Sequence, residues 1–186
     1  ALITGGNRGI GLGFAEALSQ AGAGVAIWGS NEKNNTEAVK KLGGKAKAWT
    51  VNVADETQVA TAMADVAKHF GRIDSVFANA GIGGGAKSFA EFPTETYRRV
   101  LSVNLDGVFL TLREAARQMV DQGEGGALVA VSSTSSIHGA PRQAHYATSK
   151  AGVLALVRSM AVALARNQIR ANTLVPGWTL TELTAA

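Results

Sequence analysis

Residues Ala1–Gly11 read Ala-Leu-Ile-Thr-Gly-Gly-Asn-Arg-Gly-Ile-Gly. A short apolar run ends on Thr4, and four of the next seven residues are glycine. An apolar-periodic stretch follows directly. The order predicts a buried strand, a tight turn and a helix. Glycine lets the backbone adopt positive φ and come close to a ligand. The helix start then presents free N–H groups and positive dipole to a pyrophosphate. The spacing is not G-x-G-x-x-G, because counting from Gly9 the last glycine position falls on Phe14. The pattern Thr-Gly-x-x-x-Gly-x-Gly is more specific than a glycine-rich turn, although a plain strand-to-helix turn has the same local chemistry.

The rest of the chain repeats this alternation. Further strands are predicted at Gly24–Trp28, Ala46–Val53, Asp74–Asn79, Ala127–Ser132 and Ile169–Val175. Helices are predicted at about Gly11–Ala21, Thr36–Leu42, Glu56–Phe70, Thr94–Asp121 and Ala144–Asn167. Strands alternating with helices need crossover connections, hence a parallel sheet with helices on both faces. Continuously apolar strands suit burial on both sides. Asp55 and Gln58 fit a capping box for the third helix. The run Ala151–Val157 is apolar nearly all round, so a second cover beyond the sheet is expected, from this chain or from another subunit.

Composition narrows the class. The chain has 186 residues, 46% hydrophobic and 17% charged, enough for one domain with a sizeable core. With no Cys it can form no disulfide scaffold, Cys-ligated zinc site or thiol nucleophile, and no metal site is predicted. That fits a cytoplasmic setting. The net charge is +4, but the basic residues are scattered, so no nucleic-acid partner is expected. No run of 18 apolar residues occurs, so no membrane span is expected either. The chain opens on Ala1 inside an apolar run, which suggests a fragment.

The second strand ends near Trp28, where an acidic residue would bind the ribose hydroxyl of NAD. Here stand Gly29, Ser30 and Asn31, with Glu32 slightly later. Arg8 in the glycine turn can meet a 2′-phosphate instead. Two unit charges 4 Å apart interact by about 4 kcal/mol at intermediate dielectric, enough to select a cofactor. NADP is therefore expected over NAD. The competing reading has Arg8 solvated and Glu32 turned in to the ribose.

Tyr146 and Lys150 stand four apart at a helix start and share one face. A free Tyr has a pKa of about 10, and lowering it by three units takes roughly 4 kcal/mol. The Lys150 ammonium and an oxidised nicotinamide could supply that together, giving an acid–base group near neutral pH. Ser133 ends the fifth strand, Asn79-Ala80-Gly81 the fourth and Pro176-Gly177 the sixth. Ligands of open parallel sheets bind beyond these strand ends.

With Thr4-Gly5…Gly9-Ile10-Gly11, Asn79-Ala80-Gly81, Asn104, Ser133, Tyr146…Lys150 and Pro176-Gly177 in order, the chain resembles the short-chain dehydrogenase/reductase family over nearly its whole length. The resemblance implies a Rossmann-type doubly wound sheet, a nicotinamide cofactor and hydride transfer between a carbonyl and an alcohol. Tyr146 would be the general acid or base, Lys150 would hold the nicotinamide ribose, and Ser133 would bind the substrate oxygen. Asn104 would position a water in a proton relay from Lys150. Gly5, Asn7, Arg8, Gly9, Ile10 and Gly11 would hold the pyrophosphate side, with Ser30 and Asn31 at the adenosine ribose. Asn52 and Val53 would flank the adenine; many relatives have Asp where Asn52 stands. Asn79, Ala80 and Gly81 would line the cleft, and Pro176, Gly177, Thr179 and Thr181 would close its carboxamide end.

The general look is that of 3-oxoacyl-carrier-protein reductases and sugar-alcohol dehydrogenases, and a homotetramer or dimer is expected by resemblance. The loop Ser133–His145, with Ser135, Ser136, His138, Arg142 and His145, should border the substrate. Relatives continue past the position of Ala186 through a substrate-covering segment and a further strand. Residues 1–186 are thus expected to be one dinucleotide-binding and catalytic domain, incomplete at both ends. A non-catalytic dinucleotide sensor is the competing function, but it would need the glycine turn without the Ser–Tyr–Lys set. A related isomerase or dehydratase ranks below both.

Overall fold

The structure is a computed structural model and describes residues 1–85 and 88–181. Six strands form one parallel sheet: β1 (Leu2–Thr4), β2 (Val25–Gly29), β3 (Ala46–Thr50), β4 (Ser75–Ala78), β5 (Gly126–Val131) and β6 (Ile169–Leu174). Their spatial order is β3-β2-β1-β4-β5-β6. The order reverses between β1 and β4, so the connections leaving these neighbours diverge and open a crevice at their carboxyl ends. Leu2 is paired with Ala26 on one side and Val76 on the other. β1 and β2 are buried throughout, as their unbroken apolar runs require.

The helices are α1 (Gly9–Gln20), α2 (Glu32–Leu42), α3 (Glu56–Phe70), α4 (Thr94–Leu101), α5 (Gly107–Gln122), α6 (Ser135–His138) and α7 (Ala144–Leu164). Ile3, Val25 and Ile27 point into one core with Ala15 of α1 and Ala38 of α2. Leu2, Ala26, Trp28 and Val76 point into the opposite core with α3, α5 and α7. Among the described residues β6 pairs with β5 alone, and Arg170, Asn172 and Leu174 are exposed along it. The cover on the α1–α2 side therefore stops short of this edge among the described residues.

Most expected boundaries agree with the structure, and the departures have local causes. α2 begins at Glu32 rather than Thr36, because Asn31 caps it by accepting from the Asn34 N–H at 3.0 Å. Asp55 caps α3 through the Gln58 N–H, but the return bond differs from a capping box. The Gln58 side chain donates to the Asp55 carboxylate and accepts from the Asn52 N–H at 2.9 Å. The single helix expected over Thr94–Asp121 is broken by a π-helical turn, Ser102–Asp106. The loop expected over Ser133–His145 contains α6, one turn started by polar contacts around Ser133.

α7 and the short 3-10 turn after it are together long and apolar enough to span a bilayer by length and composition, although no unbroken apolar run exists. Here the helix lies along β5 and β6, with Val153 and Val157 in the core. Its other side, with Ala155, Val162 and Ala163, is exposed.

Candidate active site

The carboxyl ends of the strands enclose a cleft of about 500 Å3. Gly5 and Gly9 have φ of +62° and +52°, which shapes the turn that forms its floor. α1 has no side-chain cap and no acidic residue in its first turn, unlike the capped α2 and α3. Its N-terminal N–H groups remain available to an anion. Asn7, Arg8, Gly9 and Ile10 line this end, together with Ser30 and Asn31.

Gly11 is not among the residues that line the cleft. A Cβ at this position would stand 2.2 Å from the Gly5 carbonyl oxygen. The residue lets α1 pack against the turn, so its glycine requirement comes from the fold.

Asn79, Ala80 and Gly81 line the cleft and are tied to β1. The Asn79 and Ala80 N–H groups donate to Thr4 Oγ1 at 3.0 and 2.9 Å, and Asn79 Nδ2 donates to the Thr4 carbonyl at 3.0 Å. Asn52, Val53, Pro176, Gly177, Thr179 and Thr181 line it too. Trp28, Asn34, Val51, Ile82 and Val103 also contribute, although sequence reasoning missed them. Trp28 and Val51 were legible only as core.

Ser133, Tyr146 and Lys150 meet at the other end of the cleft. Ser133 lies two residues beyond β5, and its hydroxyl faces the Tyr146 phenol closely enough to favour the phenolate. Lys150 is one helical turn beyond Tyr146, its Nζ 5.6 Å from the Tyr ring centroid. Nζ donates to the Val131 carbonyl at 2.7 Å. Ser132 Oγ donates to the Lys150 carbonyl at 2.8 Å and fixes the helix against β5.

The protein's own groups do not acidify the phenol, and the expected acidification draws on an oxidised nicotinamide as well. Burial raises the Tyr146 pKa above its ordinary value, and the Ser133 hydrogen bond only partly opposes this. Burial lowers Lys150 to about 8. Tyr146 thus holds its proton at neutral pH, which suits a general acid.

Asn104 is fully buried in the π-helical turn. It is not among the residues that line the cleft. Its Oδ1 accepts from the Ile82 N–H at 2.8 Å, and its Nδ2 donates to the Ile82 carbonyl at 3.0 Å. Nδ2 also reaches Ser149 Oγ at 3.4 Å. The side chain therefore joins the segment after β4 to α7. π turns are concentrated at functional sites, where they re-aim a side chain. Of the loop residues expected to border the substrate, His138 is exposed and His145 is buried behind the cleft wall.

A parallel sheet with this strand order, an open helix terminus over a glycine turn and a hydroxyl–phenol–ammonium set at one edge define a dinucleotide-binding oxidoreductase. Comparison with known proteins gives the family. The short chain dehydrogenase family model matches residues 1–186. The chain is 38% identical to L-rhamnose 1-dehydrogenase (NAD(P)(+)) of Sphingomonas sp. over 98% of its length and 73% of the relative's. It is 37% identical to a 3-oxoacyl-(acyl-carrier-protein) reductase of Thermotoga maritima, over 98% of this chain and 75% of that one. The structure of a 3-ketoacyl-(acyl-carrier-protein) reductase from Brucella melitensis, complexed with NADH, superposes with a TM-score of 0.95 at 28% identity, covering 99% of this chain and 77% of that one. The chain belongs to the short-chain dehydrogenase family and is an oxidoreductase.

Proposed function

We propose that this chain moves a hydride between a nicotinamide dinucleotide, NADP(H) in preference to NAD(H), and a ketone or secondary alcohol. The observation that carries the reading is Ser133, Tyr146 and Lys150 meeting at one end of a cleft whose other end is a glycine turn beneath an uncapped helix. The donor set fits a dinucleotide. Arg8 and the α1 N–H groups would hold its phosphates, Asn52 and Val53 would flank its adenine, and Lys150 would hold its nicotinamide ribose. When bound, the cofactor supplies or accepts the hydride and, oxidised, adds a positive charge to the site. Ser133 orients the substrate oxygen. Tyr146 donates its proton to that oxygen in reduction and withdraws it in oxidation. Lys150 stabilises the phenolate left behind. Relatives named for sugar and acyl-carrier substrates support a small polar carbonyl compound or alcohol.

The preference for NADP rests on charge and shape. No carboxylate lines the cleft among the described residues, and Glu32 lies outside it. At the end of β2, a Cβ on Gly29 would stand 2.2 Å from Asn7 Nδ2 and 2.3 Å from Asn35 Oδ1. The two amides are hydrogen-bonded at 2.8 Å, and Asn35 Nδ2 donates to the Gly29 carbonyl at 3.0 Å. A side chain at position 29 is thus excluded by a locked amide pair. Arg8 is the cation that lines this end among the described residues. NADPH is expected to bind at least tenfold more tightly than NADH in fluorescence titrations, and Arg8→Ala should remove most of the difference. Tighter NADH binding by the unaltered chain would refute the preference.

A homo-oligomer is proposed through α5 and α7, and the cytoplasm as its location. Phe109, Val120, Leu156, Met160 and Leu164 line a groove between these helices, with Arg113, Arg117 and Asp121 at its rim. Val162 is 83% exposed beyond it, more than an isolated core helix leaves open. Light scattering should report a dimer or tetramer, which Val162→Glu should weaken. A stable monomer at micromolar concentration would end this proposal.

A further inference from the structure

His145 directly precedes Tyr146 and is fully buried, yet neither ring nitrogen has a hydrogen-bond partner among the described residues. The carbonyls of Gln143 and Gly84 influence the ring without closing a hydrogen bond. Orphaned polar atoms of this kind are uncommon in a folded interior and call for an explanation.

The slot around the ring supplies one. Phe92, which precedes α4, packs against it at a tilt of 58° with centroids 4.6 Å apart. On the opposite side lies Gly84, where a Cβ would stand 2.8 Å from Nε2 and 3.3 Å from the Thr96 methyl group. The imidazole therefore fills the gap between α7, the start of α4 and the segment after β4. That segment is the cleft wall beginning at Asn79-Ala80-Gly81. Asn104 fastens it at Ile82, and His145 supports it two residues further on.

We propose that His145 is a positioning residue: its neutral ring seats the segment Gly81–Gly85, and protonation of the ring unseats this wall and opens the cleft in mild acid. The proposal rests on the reading of the cleft as a dinucleotide site. An imidazolium would bring two N–H donors into a slot made of a phenyl ring, a methyl group and a Cα, where the nearby Gln143 and Gly84 carbonyls close no hydrogen bond with the seated ring. The charged and titratable groups on the surrounding elements are Glu91, Glu95, Tyr97, Arg98 and Arg99 beside α4, His138 on α6, and Arg142, Tyr146 and Lys150 around the start of α7. Of these, Arg99 acts on the ring, and it opposes protonation. Burial is the larger influence in the same direction.

The sign follows from linkage. The folded chain holds the ring neutral to lower pH than an unfolded one, whose His takes up a proton near pH 6.5. The seated state is therefore fully stable above about pH 6.5 and loses stability as the pH falls below it.

The test uses the full chain and NADP+, with His145→Leu as the variant that fills the slot without titrating. Affinity is measured by calorimetry from pH 7.5 to 5.5. The 2′-phosphate ionises in this range in both proteins, so the difference between them is the readout. Wild-type affinity is expected to fall at least fivefold more than that of His145→Leu, and equal losses would overturn the proposal. Ring and amide NMR of the unaltered chain gives an answer that needs neither the variant nor binding. The His145 ring and the Ile82 and Gly84 amides should shift at one common midpoint; protonation of the ring with those amides unmoved would also overturn it. If NADP+ fails to bind at any pH while the NMR coupling is present, the dinucleotide reading fails and the seat survives.

Discussion

Tyr146→Phe is expected to lower kcat/KM by about a thousandfold, within the range for loss of a positioned acid–base group. Dinucleotide affinity should change less than about threefold. The phenol oxygen is the only atom removed, and the Ser133 hydroxyl is the partner it leaves. The ring would still lie beneath the Lys150 ammonium. Steady-state assays of reduced-nicotinamide absorbance over a panel of ketones and sugars, beside a cofactor titration, separate the two quantities. Turnover within tenfold of the unaltered chain would remove Tyr146 from the chemistry. Loss of cofactor binding alongside turnover would show instead that the ring holds the site together.

Lys150→Met should abolish turnover and, in the absence of cofactor, raise thermal stability. Lys150 is 3% exposed, and the only protein hydrogen bond of its Nζ runs to the Val131 carbonyl among the described residues. Burial lowers its pKa from 10.5 to about 8, a displacement worth about 3 kcal/mol. At pH 7 the group is charged whether the chain is folded or unfolded, so the folded state carries that cost. Stability rises with pH between about 8 and 10.5, where only the unfolded chain retains the proton. Methionine fills similar space without charge, although the Val131 carbonyl loses its donor. A net gain of about 1–2 kcal/mol would raise the melting temperature by about 3–6 °C. Calorimetry at pH 7 and pH 10 checks both halves, since the advantage of the variant should shrink at the higher pH. A lower melting temperature at pH 7 would mean that the ammonium is compensated in the fold. The expected outcome is a residue kept for function at a cost in stability.

The same contrast marks what could be read in advance. The six strands, the open α1 terminus and the Asp55 cap were legible because each depends on residues within a few positions. The pairing of Tyr146 and Lys150 follows from helical period alone. Asn104 was legible as a site residue through family resemblance, but its hydrogen bonds were not. They join it to Ile82, 22 positions away, and to Ser149, 45 positions away. The role of Gly11 was likewise hidden, because a close approach between helix and turn leaves no pattern distinct from phosphate binding.

By itself the sequence determined the alternation of strands and helices, the glycine turn and the shared face of phenol and ammonium, since periodicity and turn chemistry act over a few residues. Only the tertiary structure decided that Lys150 is tied to Val131, that the Asn7–Asn35 pair fills the space beside Gly29, and that His145 is buried behind the cleft wall. These depend on the reversal of strand order between β1 and β4, which brings distant segments to one edge, and on packing that removes particular side chains from water.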